Sequence, residues 1–231
     1  MKSSTGASDR KEKMYENVIK RFLDVVLCSA ALIILSPVYL IAAVGIKLSS
    51  KGPVLYFSDR AGQYKKPFHF YKFRSMHVTT QDKHMCVADA DRVFPFGKLM
   101  RRLKIDELPQ LINVIRGDMS IVGPRPMMIQ SVDKYYAGKY APVLKVRPGL
   151  TSAASLFDYT VGDTYTDDEA YRREIVPVKM EMELMYVQKQ SFLYDCSLVI
   201  RTIVAILAVL AGKKTFRDQP EYAEAKRNAG L

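Results

Sequence analysis

Asp106 and Glu107 are adjacent carboxylates in the stretch IDELPQLINVIRGDMSIVGPRP, Ile105 to Pro126. Cations crowd them along the chain: Arg101, Arg102 and Lys104 before, Arg116 and Arg125 after. A carboxylate among several cations can bind and attack a phosphate if something screens the repulsion between the two anions. A divalent metal does this, and magnesium, a hard ion that takes carboxylate and phosphate oxygens together, is the natural choice. Aspartate also serves as a nucleophile in phosphoryl transfer. The plainer alternative is local. Leu108, Leu111, Ile112 and Ile115 follow the i, i+3, i+4, i+7 spacing of one buried helical face, Pro109 fits a first turn and Gly117 supplies the stop. Asp106 then lies at a helix start, where an acid caps free N–H groups and complements the dipole.

The elements that must position this pair are legible on either side. GKLMRRLK, Gly97 to Lys104, reads as a short basic helix leading into it. PVLYFSDR (Pro53 to Arg60) and PFHFYKFRSM (Pro67 to Met76) are strand-like runs around a turn at Ala61-Gly62, so they predict a β-hairpin. The second run interleaves aromatics with Lys72 and Arg74, a composition shared by nucleic-acid surfaces and by ordinary half-buried strands. His69, His77 and His84 lack metal-ligand spacing.

The chain has 231 residues, enough for one domain with a real core. Lys and Arg number 35 against 24 Asp and Glu, a net charge of +11 that favours nucleic acid, an anionic bilayer or phosphorylated small molecules as partners. Cys28, Cys86 and Cys196 are too scattered for a disulfide framework or a zinc site and read as reduced thiols.

Residues 1–21 are polar and end in Lys20-Arg21. From Phe22 to Ile46 the only charge is Asp24. As one helix this run would extend about 37 Å, enough to cross a hydrocarbon core of roughly 30 Å. Ser36-Pro37 falls in its middle, and basic residues flank both ends: Lys20 and Arg21 before, Lys47 and Lys51 after. A helix broken at Ser36-Pro37 that dips into one leaflet and returns satisfies both facts. A kinked span satisfies the first. Near the other end, SFLYDCSLVIRTIVAILAVLAGKK carries Asp195 and Arg201, which argue against a deep span. It reads as a helix packed on the domain and the bilayer surface, followed by a loosely ordered polar tail.

Taken together, KRFLD, the LSP break, FYKFRSM, the Ile105–Pro126 block, VRPGLT and SFLYD occur in an order that resembles the bacterial monotopic phosphoglycosyl transferases, the initiating sugar transferases. The resemblance runs from about Lys20 to Gly212. It implies transfer of a sugar 1-phosphate from a UDP-sugar to a polyprenol (undecaprenyl) phosphate, with release of UMP, as the first membrane step of a surface glycan. Asp106 matches the nucleophile that forms a covalent aspartyl phosphosugar, and Glu107 its dyad partner, both beside Mg2+. Ser36 and Pro37 match the break of a re-entrant helix. Lys72, Arg74, Arg101, Arg125, Arg147 and Asp195 match substrate-binding polar positions.

The implied fold is α+β: a mainly helical, membrane-associated domain with a small β-hairpin, an N-terminal re-entrant helix and interfacial amphipathic helices. Its expected divisions are a polar segment 1–21, a re-entrant helix 22–48, a catalytic domain 49–212 and a polar tail 213–231. The expected location is the bacterial inner membrane, monotopic, with the catalytic domain facing the cytoplasm. Partners are the UDP-sugar, the polyprenol phosphate and the phospholipid bilayer, with no nucleic acid and a homodimer left open. After RPGLT the chain reads SAASLFDYTVGD, where many small members carry an Asn-Gly-Arg run, so sugar and base preference do not carry over. Two other functions remain at this point: a membrane-anchored polyanion- or nucleic-acid-binding protein, and a nucleotide-sugar hydrolase.

Overall fold

The computed structural model describes residues 15–77, 92–161, 167–213, 216 and 218–231. Residues 1–14, His84, Cys86 and Asp163 lie outside the described residues. A π-helical turn, Tyr15–Ile19, runs into α1, Lys20–Ile34. Lys20, Asp24 and Cys28 recur every fourth residue and are the buried stripe of α1. Lys20 and Arg21, expected as flanking charges at a membrane edge, instead face the protein. Arg21 donates to the Val114 and Ile115 carbonyls at 2.5 and 2.6 Å, closing the carbonyl end of a later helix as a cation does well.

At Leu35 the backbone leaves helical geometry, with φ −87° and ψ 3°, and α2, Ser36–Ser49, begins with Pro37 in its first turn. Proline's missing N–H has no partner to lose there, while its ring blocks continuation of α1. The two helices are bent by 60°. Ile33, Ile34, Leu40 and Ile41, which surround the bend, are 64% to 75% exposed.

The hairpin forms as the sequence predicts. β1, Leu55–Ala61, pairs antiparallel with β2, Pro67–Phe73, with Leu55 opposite Phe73 and Ala61 opposite Pro67. Phe68 and Phe70 point to the buried face of β2 and join Cys28, Leu111, Val114 and Met119 in one core cluster. After α3, Pro95–Arg102, and α4, Gln110–Arg116, comes β3, Ser120–Val122. It pairs parallel with β4, Gly149–Thr151. These three-residue strands are too short to leave a periodic signal.

Four longer helices follow: α5, Ala153–Thr160, α6, Val176–Lys189, α7, Phe192–Leu210, and α8, Tyr222–Asn228. With 19 residues, α7 is long and apolar enough to cross a membrane. It buries Asp195, Leu198 and Ala205 against the domain and leaves Leu193, Ile200, Ile203, Val204 and Leu207 exposed. The C-terminal region departs from expectation. The sequence predicts a polar tail over 213–231, loosely ordered from 215, but α8 is docked. Tyr222 stacks on Phe157 with centroids 5.2 Å apart, Ala225 is fully buried, and Glu221 accepts from Arg201 at 2.8 Å and from Tyr194 at 2.8 Å. Its few apolar residues were too sparse to mark a helical face in the sequence.

Candidate active site

Asp106 and Glu107 occupy a 3-10 turn, Ile105–Glu107, between α3 and α4. The chain enters it through Lys104, held in the left-handed region at φ 55° and ψ 19°. That conformation is uncommon for a residue with a Cβ, and it turns the chain sharply from α3 into the carboxylate pair. The capping reading of Asp106 is not what forms: neither the turn nor α4, whose N-cap is Pro109, has a side-chain cap hydrogen bond. Asp106 is only 6% exposed, and its Oδ1 is buried without a hydrogen-bond partner. Such an oxygen keeps its full desolvation penalty.

Glu107 has the opposite environment. Its Oε1 accepts from Lys72 Nζ at 2.8 Å and from Arg125 Nη2 at 3.0 Å. Burial alone would push Glu107 up, but Arg125, Lys72 and Lys104 outweigh it and hold the carboxyl well below the usual carboxylate range. Burial pushes Asp106 up, helped by the charge of Glu107, and Lys72, Lys104 and Arg101 only partly offset this. Two neighbouring carboxylates with opposed environments are suited to different tasks. Glu107 stays an anion that fixes two cations. Asp106 is a desolvated base with a free oxygen.

Lys72 reaches the dyad because strand alternation places it on the face of Phe68 and Phe70. Burial pushes its ammonium down from the usual lysine range in spite of Glu107. Asn113, fully buried on α4, locks this strand to the helix that follows the dyad. It accepts from Tyr71 N at 3.1 Å and donates to the His69 carbonyl at 2.7 Å. Its only trace in the sequence is a polar residue inside an apolar helical pattern. Arg125 follows β3, between Pro124 and Pro126, and its backbone N–H donates to Glu183 Oε1 at 3.0 Å.

The other predicted site residues divide. Arg101 donates from Nε to Ser75 Oγ at 2.8 Å and lowers Asp106 electrostatically. Arg147 precedes Pro148 and β4, and its carbonyl crosses Gly123 beside the Arg125 segment. Among the described residues neither arginine has an ion-pair partner. Arg74 is turned away: its guanidinium donates to the Pro53 carbonyl, Ser50 Oγ and the Ser50 carbonyl at 2.6 to 2.8 Å, tying α2 to the hairpin. Asp195 belongs to a separate cluster with Lys20, Tyr15 and Tyr186. Ser36 and Pro37 sit at the helix bend. Arg60 is a cation that sequence reading missed. Burial and the charge of Arg125 push its guanidinium down, with Glu107 opposing, which places it near the same group.

Among the described residues no cluster of three or more His, Cys, Asp or Glu could hold a metal ion. The dyad still fits magnesium, which is commonly held by one or two carboxylates together with substrate phosphates. Asp106 and Glu107 are the carboxylates that would hold such an ion, and the unpartnered Asp106 Oδ1 shows that the dyad is not closed by protein hydrogen bonds.

Residues 15–209 match the model of the bacterial sugar transferase family. The chain belongs to that family. A UDP-glucose:undecaprenyl-phosphate glucose-1-phosphate transferase of Caulobacter vibrioides is 38% identical over 81% of this chain and 69% of its own length. An Escherichia coli protein of the same name is 37% identical over 80% of this chain, which spans only 39% of that relative. A UDP-N-acetylgalactosamine-undecaprenyl-phosphate N-acetylgalactosaminephosphotransferase of Aeromonas hydrophila is 36% identical over 82% of this chain and 44% of its own length. The expected polyprenol phosphate phosphosugar transferase family is therefore borne out. Within this bacterial sugar transferase, the strand that suggested a nucleic-acid surface turns both its charges inward, Lys72 to Glu107 and Arg74 to Ser50.

Proposed function

We propose that this bacterial sugar transferase moves a sugar 1-phosphate from a UDP-sugar to a polyprenol phosphate through a covalent phosphosugar on Asp106. The observation that carries this reading is the asymmetry of the dyad: Asp106 Oδ1 is buried and free, whereas Glu107 is clamped by Lys72 and Arg125. In the first step Asp106 Oδ1 attacks the phosphorus that bears the sugar. The bond from that phosphorus to the bridging oxygen breaks, and UMP leaves with the bond's electrons. In the second step a phosphate oxygen of the polyprenol attacks the same phosphorus and releases the Asp106 carboxylate. Each displacement trades one phosphorus–oxygen bond for another, so no redox partner is required.

Lys72 and Arg125 hold Glu107 in place and face the developing charge, while Arg101, Arg147 and Arg60 are available to the diphosphate. Magnesium, when bound at the dyad, would neutralise phosphate charge and polarise the reacting phosphorus. Desolvation makes Asp106 a stronger base and nucleophile than an exposed aspartate.

The same reading takes α1 and α2 as a re-entrant pair whose bend at Leu35 enters one leaflet, with the exposed side of α7 beside it at the bilayer surface. The 60° bend and the open apolar residues around it support this. The inner membrane, with the site on the cytoplasmic face, is where a nucleotide sugar would meet a polyprenol phosphate. The test is single-turnover incubation with magnesium and a panel of UDP-sugars, without lipid. A covalent adduct on the peptide containing Asp106, with about one equivalent of UMP, is the expected result. UMP release with no adduct, unaffected by omitting polyprenol phosphate, would replace transfer by hydrolysis.

A further inference from the structure

Glu183 lies on α6, outside every motif that marks the site, and is only 3% exposed. No lysine or arginine forms a salt bridge with it among the described residues. Its Oε1 accepts from the backbone N–H of Arg125 at 3.0 Å, with the Ser152 hydroxyl 3.3 Å away as a second donor. Its Oε2 is buried and unpartnered. A buried acid so poorly compensated is costly, and a cost of this kind is expected where the group controls something nearby.

What it controls is set by local chemistry. Pro124 and Pro126 have no N–H, so Arg125 carries the one backbone donor in the segment 124–126. That donor goes to Glu183. The side chain of the same residue reaches the other way, 3.0 Å from Glu107 Oε1. A rotation of the Arg125 backbone would therefore be felt at Glu107 through a single side chain. Ser152, the second group at Glu183, caps α5 by accepting from Ser155 N at 3.0 Å.

We propose that Glu183 is a positioning residue of the transferase: it fixes the Arg125 backbone, and through it the guanidinium that clamps Glu107. The proposal rests on the catalytic reading of the dyad only for its effect on turnover. The bond itself is tested without activity. In the full-length protein the Arg125 amide is expected to exchange slowly with solvent deuterium in wild type and in Glu183→Gln, which keeps an acceptor oxygen. In Glu183→Leu exchange should accelerate at least about tenfold, as loss of a buried acceptor implies. Unchanged protection in Glu183→Leu overturns the proposal.

Turnover is read as UMP release from the UDP-sugar that wild type accepts, with undecaprenyl phosphate present. Glu183→Gln should hold kcat within about threefold, and Glu183→Leu should lower it by about 30-fold with the UDP-sugar KM little changed. In an Arg125→Ala background, Glu183→Leu should cost less than about twofold more, because its route to the dyad is already cut. Equal losses in both backgrounds would make Glu183 a merely structural acid and sink the proposal. If Glu183→Leu does not fold, Glu183→Asp replaces it: the charge stays, the reach shortens, and faster Arg125 exchange with lowered kcat is expected. Wild type that releases no UMP from any UDP-sugar would refute the transferase reading, while amide exchange still decides the Glu183 bond.

Discussion

Lys20 and Asp195 meet inside the protein much as Lys72 and Glu107 do, yet the two clusters are completed differently. Asp195 Oδ2 takes Lys20 Nζ at 2.5 Å and the Tyr15 hydroxyl at 2.7 Å, and its Oδ1 takes the Tyr186 hydroxyl at 3.0 Å. Both carboxylate oxygens are satisfied, and the donors come from the N-terminal helix and α6, so the cluster joins α1, α6 and α7. The dyad instead satisfies Glu107 and leaves Asp106 Oδ1 bare. Burial and ion pairing are common to both. Completeness of hydrogen bonding separates a charge that fastens helices from the one proposed above as the nucleophile.

The largest expected effect tests that contrast directly. Asp106→Asn should lower turnover by at least about 10³-fold, as removal of a nucleophile does. Because burial raises the Asp106 carboxyl, its charge opposes folding near neutrality, and the variant should melt no lower than wild type. Asp195→Ala should do the reverse. Leaving Lys20 buried without its partner should cost about 3–5 kcal/mol in denaturant titration, while UMP release per folded molecule stays within about threefold. A fully stable but inactive Asp195→Ala protein would return Asp195 to the substrate-binding set and end the distinction.

Glu183 offers an intermediate case, with one oxygen engaged and one bare. Burial pushes its carboxyl up from 4.5 to about 7, against the Arg125 N–H, Lys179, Ser152 and the Arg125 charge. Tyr136 also faces it. Below the unfolded value both states hold the proton and nothing is lost. As pH rises toward 7 the unfolded chain has released its proton and the native state has not, so stability falls, reaching a deficit of roughly 3 kcal/mol above the folded value. Glu183→Gln has no such deficit. Its melting temperature relative to wild type should therefore rise between pH 5 and pH 8, and a pH-independent difference would contradict the assignment.

Smaller effects refine the picture. Arg125→Lys exchanges a planar fork for a point charge, and turnover should drop about tenfold with folding intact. Tyr222→Leu removes the stacking of α8 on Phe157 and should cost about 1 kcal/mol in thermal melts without altering kcat. A larger loss of activity would mean that the C-terminal helix acts on the site as well as on the core.

What the sequence disclosed follows contact range. Lys72 shares a strand with alternating phenylalanines, and the dyad precedes a periodic helix, so hairpin, turn and carboxylate pair were all legible from neighbours in the chain. Arg125 was legible as a cation close behind. Glu183 was not, because it touches Arg125 across 58 positions, and a Glu among the methionines of α6 looks like an ordinary exposed residue. Asn113 and Arg60 were missed for the same reason. Arg74 and Asp195 show the converse: residue type fits phosphate or dyad chemistry, but Arg74 is taken up by Ser50 and Pro53, and Asp195 by Lys20.

Beside the parallel pair β3 and β4, the backbone at Gly123 lies directly against that at Gly149. A Cβ built at Gly149 would sit 2.1 Å from Gly123 N, and one at Gly123 would sit 2.4 Å from the Arg147 carbonyl. Two main chains touch there with no side chain between them, two residues before Arg125 on one segment and two after Arg147 on the other. A single methyl at either glycine would wedge those arginines apart while every reactive atom kept its identity. Variants of this enzyme can therefore be silent in chemistry and lethal in geometry, and an inventory of catalytic residues would pass them as intact.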